Sequence, residues 1–234
     1  MMRIMKLEWK KNRLAGYIKN TIISTILIFA ITALMAVVSR QQGENMFLDF
    51  TSFMSFVTII IRVVFVIFAA ILLSRLVVDE YKNKTIQVLF TYPVNRKTVL
   101  LSKLLLIVGF CFFSTVFATL VISGLTLLLN PVLELFPSAM TSHEIIASLP
   151  GVVINALMTA CLSLIPLYFG MKKQSSSTTI TWGVIIGLLV NGTVSDGSTT
   201  INLAQMLVVP IILAGIGLLI GYLSIRRVDS SDLV

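Results

Sequence analysis

Residues 53–78 read FMSFVTIIIRVVFVIFAAILLSRLVV, an apolar run whose only charges are Arg62 and Arg75. This run constrains the chain more than any other feature. A helix crosses the ~30 Å hydrocarbon core of a bilayer with about twenty apolar residues, so a run longer than this tilts or extends past the inner surface. Composition agrees: 57% of the residues are hydrophobic and 12% charged, where a soluble domain carries about a quarter charged. The chain is therefore expected to be an all-α integral membrane protein.

Five further apolar runs fit the same description, predicting six spans in one transmembrane domain covering 1–234. The first span is placed at 21–38 and the second at 53–78, with 40–49 as an outer connection. The third runs over 104–129 and is expected to stop at Asn130-Pro131, because proline lacks a donor and clashes with the preceding turn. Residues 131–150 then form the largest outer connection, a partly amphipathic lid. The fourth span, 151–170, contains Pro166 and is expected to kink or break near its inner end. After an inner turn at Lys172, Lys173 and QSSS, a short fifth span at 178–190 precedes the polar NGTVSDGSTTIN. Both a thin helix with a polar outer loop and a re-entrant or broken helix fit that pattern. The last span is 203–225.

Residues 1–20 place Trp9 and Tyr17 among alternating apolar and basic side chains, as in an amphipathic helix lying at the membrane interface. No cleavable signal peptide is expected from this basic opening. With the N-terminus inside, the inner segments hold nearly all lysines and arginines and the outer ones only Arg40. That distribution is the positive-inside pattern, so both termini are expected to be cytoplasmic. The net charge of +8 thus reads as membrane-orienting rather than as a nucleic-acid surface. Cys111 and Cys161 lie within apolar runs and read as buried small side chains, not a disulfide.

Between the second and third spans lies the charged stretch 79–103, DEYKNKTIQVLFTYPVNRKTVLLSK. It is longer than a minimal helix–helix turn of about two to eight residues, so structure and a partner are expected there. Tyr81, Thr85, Val88 and Leu89 recur at helical spacing, Pro93 stops that helix, and a second helix leads into the third span. The result is a cytoplasmic elbow. The order Glu80, Tyr81, Thr85, Leu89, Pro93, Arg96 and Lys103 resembles the permease subunits of type-2 ABC exporters, with Lys84 where such permeases commonly carry glycine.

That resemblance implies that Glu80, Tyr81, Thr85, Leu89, Pro93, Arg96 and Lys97 couple the chain to a separate ATP-hydrolysing subunit. It also implies a bacterial plasma-membrane complex of two ATPase copies with a second permease copy, either the same chain or a close paralogue. ATP and Mg would be bound by the partner. Small permeases with short outer loops resemble the subgroup that exports amphipathic peptides, peptide toxins or antibiotics, such as the bacitracin- and lantibiotic-immunity permeases and the phenol-soluble modulin exporters.

The residues themselves limit the chemistry. There is no G-x-x-x-x-G-K-[ST], no H-E-x-x-H, no C-x-x-C and a single histidine, His143. Usual phosphate-loop ATP hydrolysis is excluded for this chain, and no converging acids, histidines or activated nucleophile mark an intramembrane enzyme. Arg62 is the one charge deep in a span, where it costs at least about 2.5 kcal/mol unless it reaches water or a counter-charge. It either meets an anionic cargo group or is held by Asp49, Glu134, Asp196, a carbonyl or an outer lipid headgroup. Phe56 and Phe65 are candidates for an adaptable apolar pathway beside it. Ser114, Thr115, Thr119, Asn155 and Ser163 read as helix-packing contacts. The alternative to an ATP-driven permease is an ATPase-independent secondary transporter or channel using Arg62 and the fifth span, although the spans lack the carboxylates typical of ion coupling.

Overall fold

The computed structural model describes residues 15–42, 47, 49–82, 96–133, 142–191, 212, 215–217 and 219–220. Six helices occupy most of them: α1 (Ala15–Gln41), α2 (Phe50–Leu73), α3 (Arg96–Leu133), α4 (Ser142–Leu162), α5 (Ile165–Lys173) and α6 (Ser176–Asn191). Four helical stretches among the described residues are long and apolar enough to cross a membrane, and α6 adds a shorter apolar helix. The sixth expected span falls mostly outside the described residues, of which only Ile212, 215–217 and 219–220 are helical.

In water the run Thr58–Ile59–Ile60–Ile61 would favour a strand, because β-branched side chains restrict rotamers in helices. Lipid reverses that preference: each backbone group needs an internal partner, and a helix supplies one within the segment. Asp49 begins α2, its N–H donating to Ser52 Oγ at 3.2 Å, and Phe47 folds back on Phe53 with ring centroids 5.3 Å apart. Beyond Leu73 the helix continues through a π-helical segment (Ser74–Val78) and one more turn (Asp79–Lys82). The unbroken stretch has 33 residues, about 50 Å of helix, which exceeds the hydrocarbon core by about 20 Å.

This long helix is the centre of the bundle. It packs most extensively on α6 and α3 and also meets α1, α4 and α5. Phe53, Val57, Ile61, Phe65, Leu72 and Leu73 are all sealed by these neighbours. The α2–α6 seam depends on small residues: a Cβ added at Gly183 would stand 2.4 Å from Ala70 Cβ, and Gly187 lies against the Val63 backbone. Gly183-x-x-x-Gly187 thereby lets two backbones approach where lipid provides no hydrophobic push.

Several expected boundaries move. Residues 15–20 belong to α1, so only 1–14 of the expected interfacial helix lie outside the described residues. Helix α3 does not stop at Asn130-Pro131 but runs through Pro131 to Leu133, since loss of a single donor in a final turn leaves the preceding bonds intact. The connection expected over 131–150 is helical from Ser142 onward, and Pro150 lies inside α4. Ile145, Ile146, Leu149, Val152 and Val153 keep one helical spacing across that proline. The expected break near Pro166 is present: α4 ends at Leu162, and Pro166 enters the first turn of α5. Gln174, at φ 45°, closes α5, and Ser175 N–H donates to Gly170 O at 3.3 Å before α6 begins.

Hydroxyls inside the spans are satisfied locally. Thr25, Thr32, Thr115, Thr119, Thr126 and Thr159 each donate to a carbonyl one turn earlier, at 2.7–3.0 Å. Buried threonine is then compatible with a helix in lipid without any ligand.

Candidate functional site

Two adjacent acids at the end of the α2 extension hold different neighbours. Glu80 accepts an ion-paired hydrogen bond from Lys103 Nζ, which also donates to Leu76 O at 3.0 Å. Lys103 lies about two turns inside α3 and is only 3% exposed; the Glu80 side chain is 15% exposed. Asp79 accepts a hydrogen bond from Ser176 Oγ at the first residue of α6. A side chain inserted beside a π-helical turn is a recognised way of accommodating an altered carbonyl ladder. Here Lys103 does so at Leu76, fastening the base of α2 to α3 as Asp79 fastens it to α6.

Alongside, Gly170 of α5 lies so close to Thr179 and Val78 that a Cβ would reach within 2.1 Å of Thr179 Oγ1. Phe169 and Trp182 stack 3.7 Å apart, closing the same end. The base of the bundle is consequently one packed unit of α2, α3, α5 and α6.

Of the residues assigned to the elbow, Glu80 and Tyr81 continue α2. Glu80 is held within the chain, and Tyr81 is half-buried against the core. Thr85, Leu89 and Pro93 lie outside the described residues. Arg96 and Lys97 form the first backbone turn of α3. Sequence reasoning used Lys103 only as part of a resemblance and missed its pairing with Glu80; a lysine at a span entrance, 23 residues from an acid at the preceding span's exit, was the available signal.

The second site is Arg62 in α2. Its Nη2 donates to Asn155 Oδ1 of α4 at 2.6 Å, and the buried Nε has no hydrogen-bond partner among the described residues. Asn155 Nδ2 in turn donates to Gly151 O at 3.0 Å. Asp49, offered by the sequence as a counter-charge, instead caps α2 thirteen positions away, about 20 Å of helix rise. The sequence reading named Asn155 only as a packing residue. Phe56 is half-buried with its ring 5.6 Å from Phe47, and Phe65 is buried in the core, where its carbonyl faces Cys111 Sγ at 3.9 Å. Cys111 and Cys161 are free thiols.

An apolar groove of about 720 Å³ runs between α1 and α3, lined by residues including Ile18, Ile22, Leu105, Gly109, Phe113 and Phe117. No charged residue contributes to it among the described residues. Phe113 is 72% exposed, as suits a side chain facing lipid.

A family model described as ABC-2 family transporter protein matches residues 4–191, which include all five described long or short apolar helices and the charged stretch between α2 and α3. The chain belongs to the ABC-2 transporter family. It is also 30% identical over 231 residues to the uncharacterized protein YcbO of Bacillus subtilis (strain 168), covering 99% of this chain and 100% of that protein. No solved structure matches. The protein is the multi-pass membrane component of an ABC-2 type transporter, and the matched region is a permease domain, a domain type distinct from the ATPase. ABC-2 permeases generally pair with ABC ATPase subunits, which supply the nucleotide site.

Proposed function

We propose that this permease is the membrane half of an ATP-driven exporter of amphipathic peptides, peptide toxins or antibiotics. Two copies, or one copy and a close paralogue, would bind two ATPase subunits carrying ATP and Mg. The positive-inside distribution of the basic residues supports an orientation with the elbow and both termini on the cytoplasmic side of a bacterial plasma membrane.

The observation that carries the reading is the joined base of α2 in a member of this family. An ATPase bearing on the segment around Tyr81, Thr85, Leu89, Pro93, Arg96 and Lys97 would act on a helix whose end is tied to α3 through Lys103 and to α6 through Ser176. Displacement there moves the centre of the bundle, since α2 touches all the other described helices. Glu80 belongs to the transmission rather than to the docking face, because its carboxylate is already engaged by Lys103.

Co-expression with a candidate phosphate-loop ATPase, purification in nanodiscs and measurement of ATP hydrolysis test this directly. The native chain is expected to co-elute with the ATPase, and Arg96→Ala/Lys97→Ala to reduce both co-elution and peptide-stimulated hydrolysis. Absence of a stable complex with any such ATPase, combined with ion-driven transport by the chain alone, would establish the secondary-transporter alternative instead.

A further inference from the structure

Among the described residues two cations lie within the bundle, Lys103 buried and Arg62 half-buried, and their partners differ. Lys103 is neutralised by Glu80 and bonded to a carbonyl. Arg62 has only the amide oxygen of Asn155 as a hydrogen-bond partner, and no ion pair to an acidic group among the described residues. A guanidinium offers five N–H donors in a planar fork, and Nε, although buried, donates to nothing described. Asn155 contributes no charge, and its Nδ2 donates to Gly151 O.

Depth makes this incomplete satisfaction costly. Arg62 is twelve positions beyond Phe50, about 18 Å of rise, and fourteen before Leu76, about 21 Å, the level at which Lys103 marks the inner base. It therefore lies near the middle of the span, where uncompensated charge is disfavoured and intramembrane ionisable groups mark ligand paths. Its position is not sealed: Arg62 and Asn155 are both half-buried, and Val153, Ile154 and Leu157 beside Asn155 on α4 are exposed.

We infer that Arg62, held by Asn155 in the seam between α2 and α4, is a binding site for the carboxylate or phosphate group of an amphipathic molecule. A two-oxygen anion accepts from Nε–H and a second N–H of the same fork and supplies the counter-charge that the described helices lack. Asn155 is the positioning residue: its amide fixes the guanidinium without neutralising it. The inference deepens the transporter reading, because it selects anionic over neutral cargo. Phe56, about 1.7 turns earlier on α2, lies about 120° around the helix and packs on Phe47, so the exposed Val153, Ile154 and Leu157 beside Asn155 are the side chains that suit the apolar part of such a molecule.

The test uses the full chain alone in nanodiscs, so that its outcome is independent of whether an ATPase binds. The probe is a dansyl-labelled amphipathic Leu/Gln peptide with either a free C-terminal carboxylate or a C-terminal carboxamide. In phosphatidylcholine discs the carboxylate form is expected to bind about tenfold more tightly, the effect of one charge-assisted contact. Arg62→Gln should abolish that preference, Arg62→Lys should retain part of it, and Asn155→Ala should weaken it. If both peptide forms bind alike, but Arg62→Gln lowers the phosphatidylglycerol that co-purifies from mixed-lipid discs, the anion is a lipid phosphate and the site stands.

The assignment is overturned if Arg62→Gln elutes and melts like the native chain and alters neither peptide preference nor lipid retention. It is equally overturned if Arg62→Glu recovers native behaviour when Glu134, Glu144 or Asp196 is replaced by arginine, since the charge would then belong to an internal ion pair. Should Arg62→Gln fail to fold, Arg62→Lys decides: an unchanged preference without the planar fork removes the proposed contact.

Discussion

Lys103→Ala is expected to lower the stability of the folded permease by about 3–5 kcal/mol, the cost of removing one partner from a buried ion pair. The change leaves the largely buried Glu80 carboxylate without its cation and Leu76 O without the donor at 3.0 Å. Thermal unfolding in detergent, followed by monodisperse elution, reads the loss. Replacing both partners with apolar side chains, Glu80→Leu/Lys103→Met, should recover most of it, because no unpaired charge then remains. Exchanging the two charges should recover only part, since a carboxylate at 103 can face a lysine at 80 but cannot donate to Leu76 O. A melting temperature unaffected by Lys103→Ala would show that the pair contributes nothing to holding α2 against α3.

Gly183→Leu should be the most damaging substitution on α6. Its Cβ position is 2.4 Å from Ala70 Cβ, so the two helices must separate even before the rest of the side chain is placed. Overpacking of this kind costs about 1–3 kcal/mol, and in lipid the separated helices regain nothing by hiding apolar surface from water. Limited proteolysis of the α5–α6 region and the melting temperature should both register the change. Gly187→Ala is expected to be mild, because the nearest atoms to its added Cβ lie at 3.5 Å, ordinary contact. Ala70→Gly should partly rescue Gly183→Ala; if it does not, the α2–α6 seam is not set by this contact.

The sequence revealed the helical class and the positions of the five described apolar helices because hydrocarbon thickness acts on composition alone: runs such as 53–78 can be read without knowing any neighbour. The break at Pro166 was equally legible, since proline acts on its own backbone. Pro131 and Pro150 were not, because whether a helix tolerates a proline depends on how many bonds follow it and on the periodicity beyond it. Arg62 was recognisable as an anomaly from burial cost, but its partner was not, because Asn155 is 93 residues away and nothing local distinguishes it from a packing residue. Likewise the close approach of Gly183 and Ala70 belongs to two helices distant in sequence. The spacing of Gly183 and Gly187 was the visible half of that contact, and Ala70 only became its partner through the fold.

Because Glu80 and Lys103 cancel each other inside the fold, the stretch 79–103 presents an unequal balance to anything outside it. Its remaining formal charges are Lys82, Lys84, Arg96 and Lys97 against Asp79 alone. On the proposed orientation this stretch is a net cationic cytoplasmic segment, and an ATPase surface that complements it is expected to be acidic. Attraction of that kind accelerates encounter more than it tightens the final complex, and is screened over about 8 Å at physiological ionic strength. Added salt should slow assembly of the transporter well before it dissociates complexes already formed.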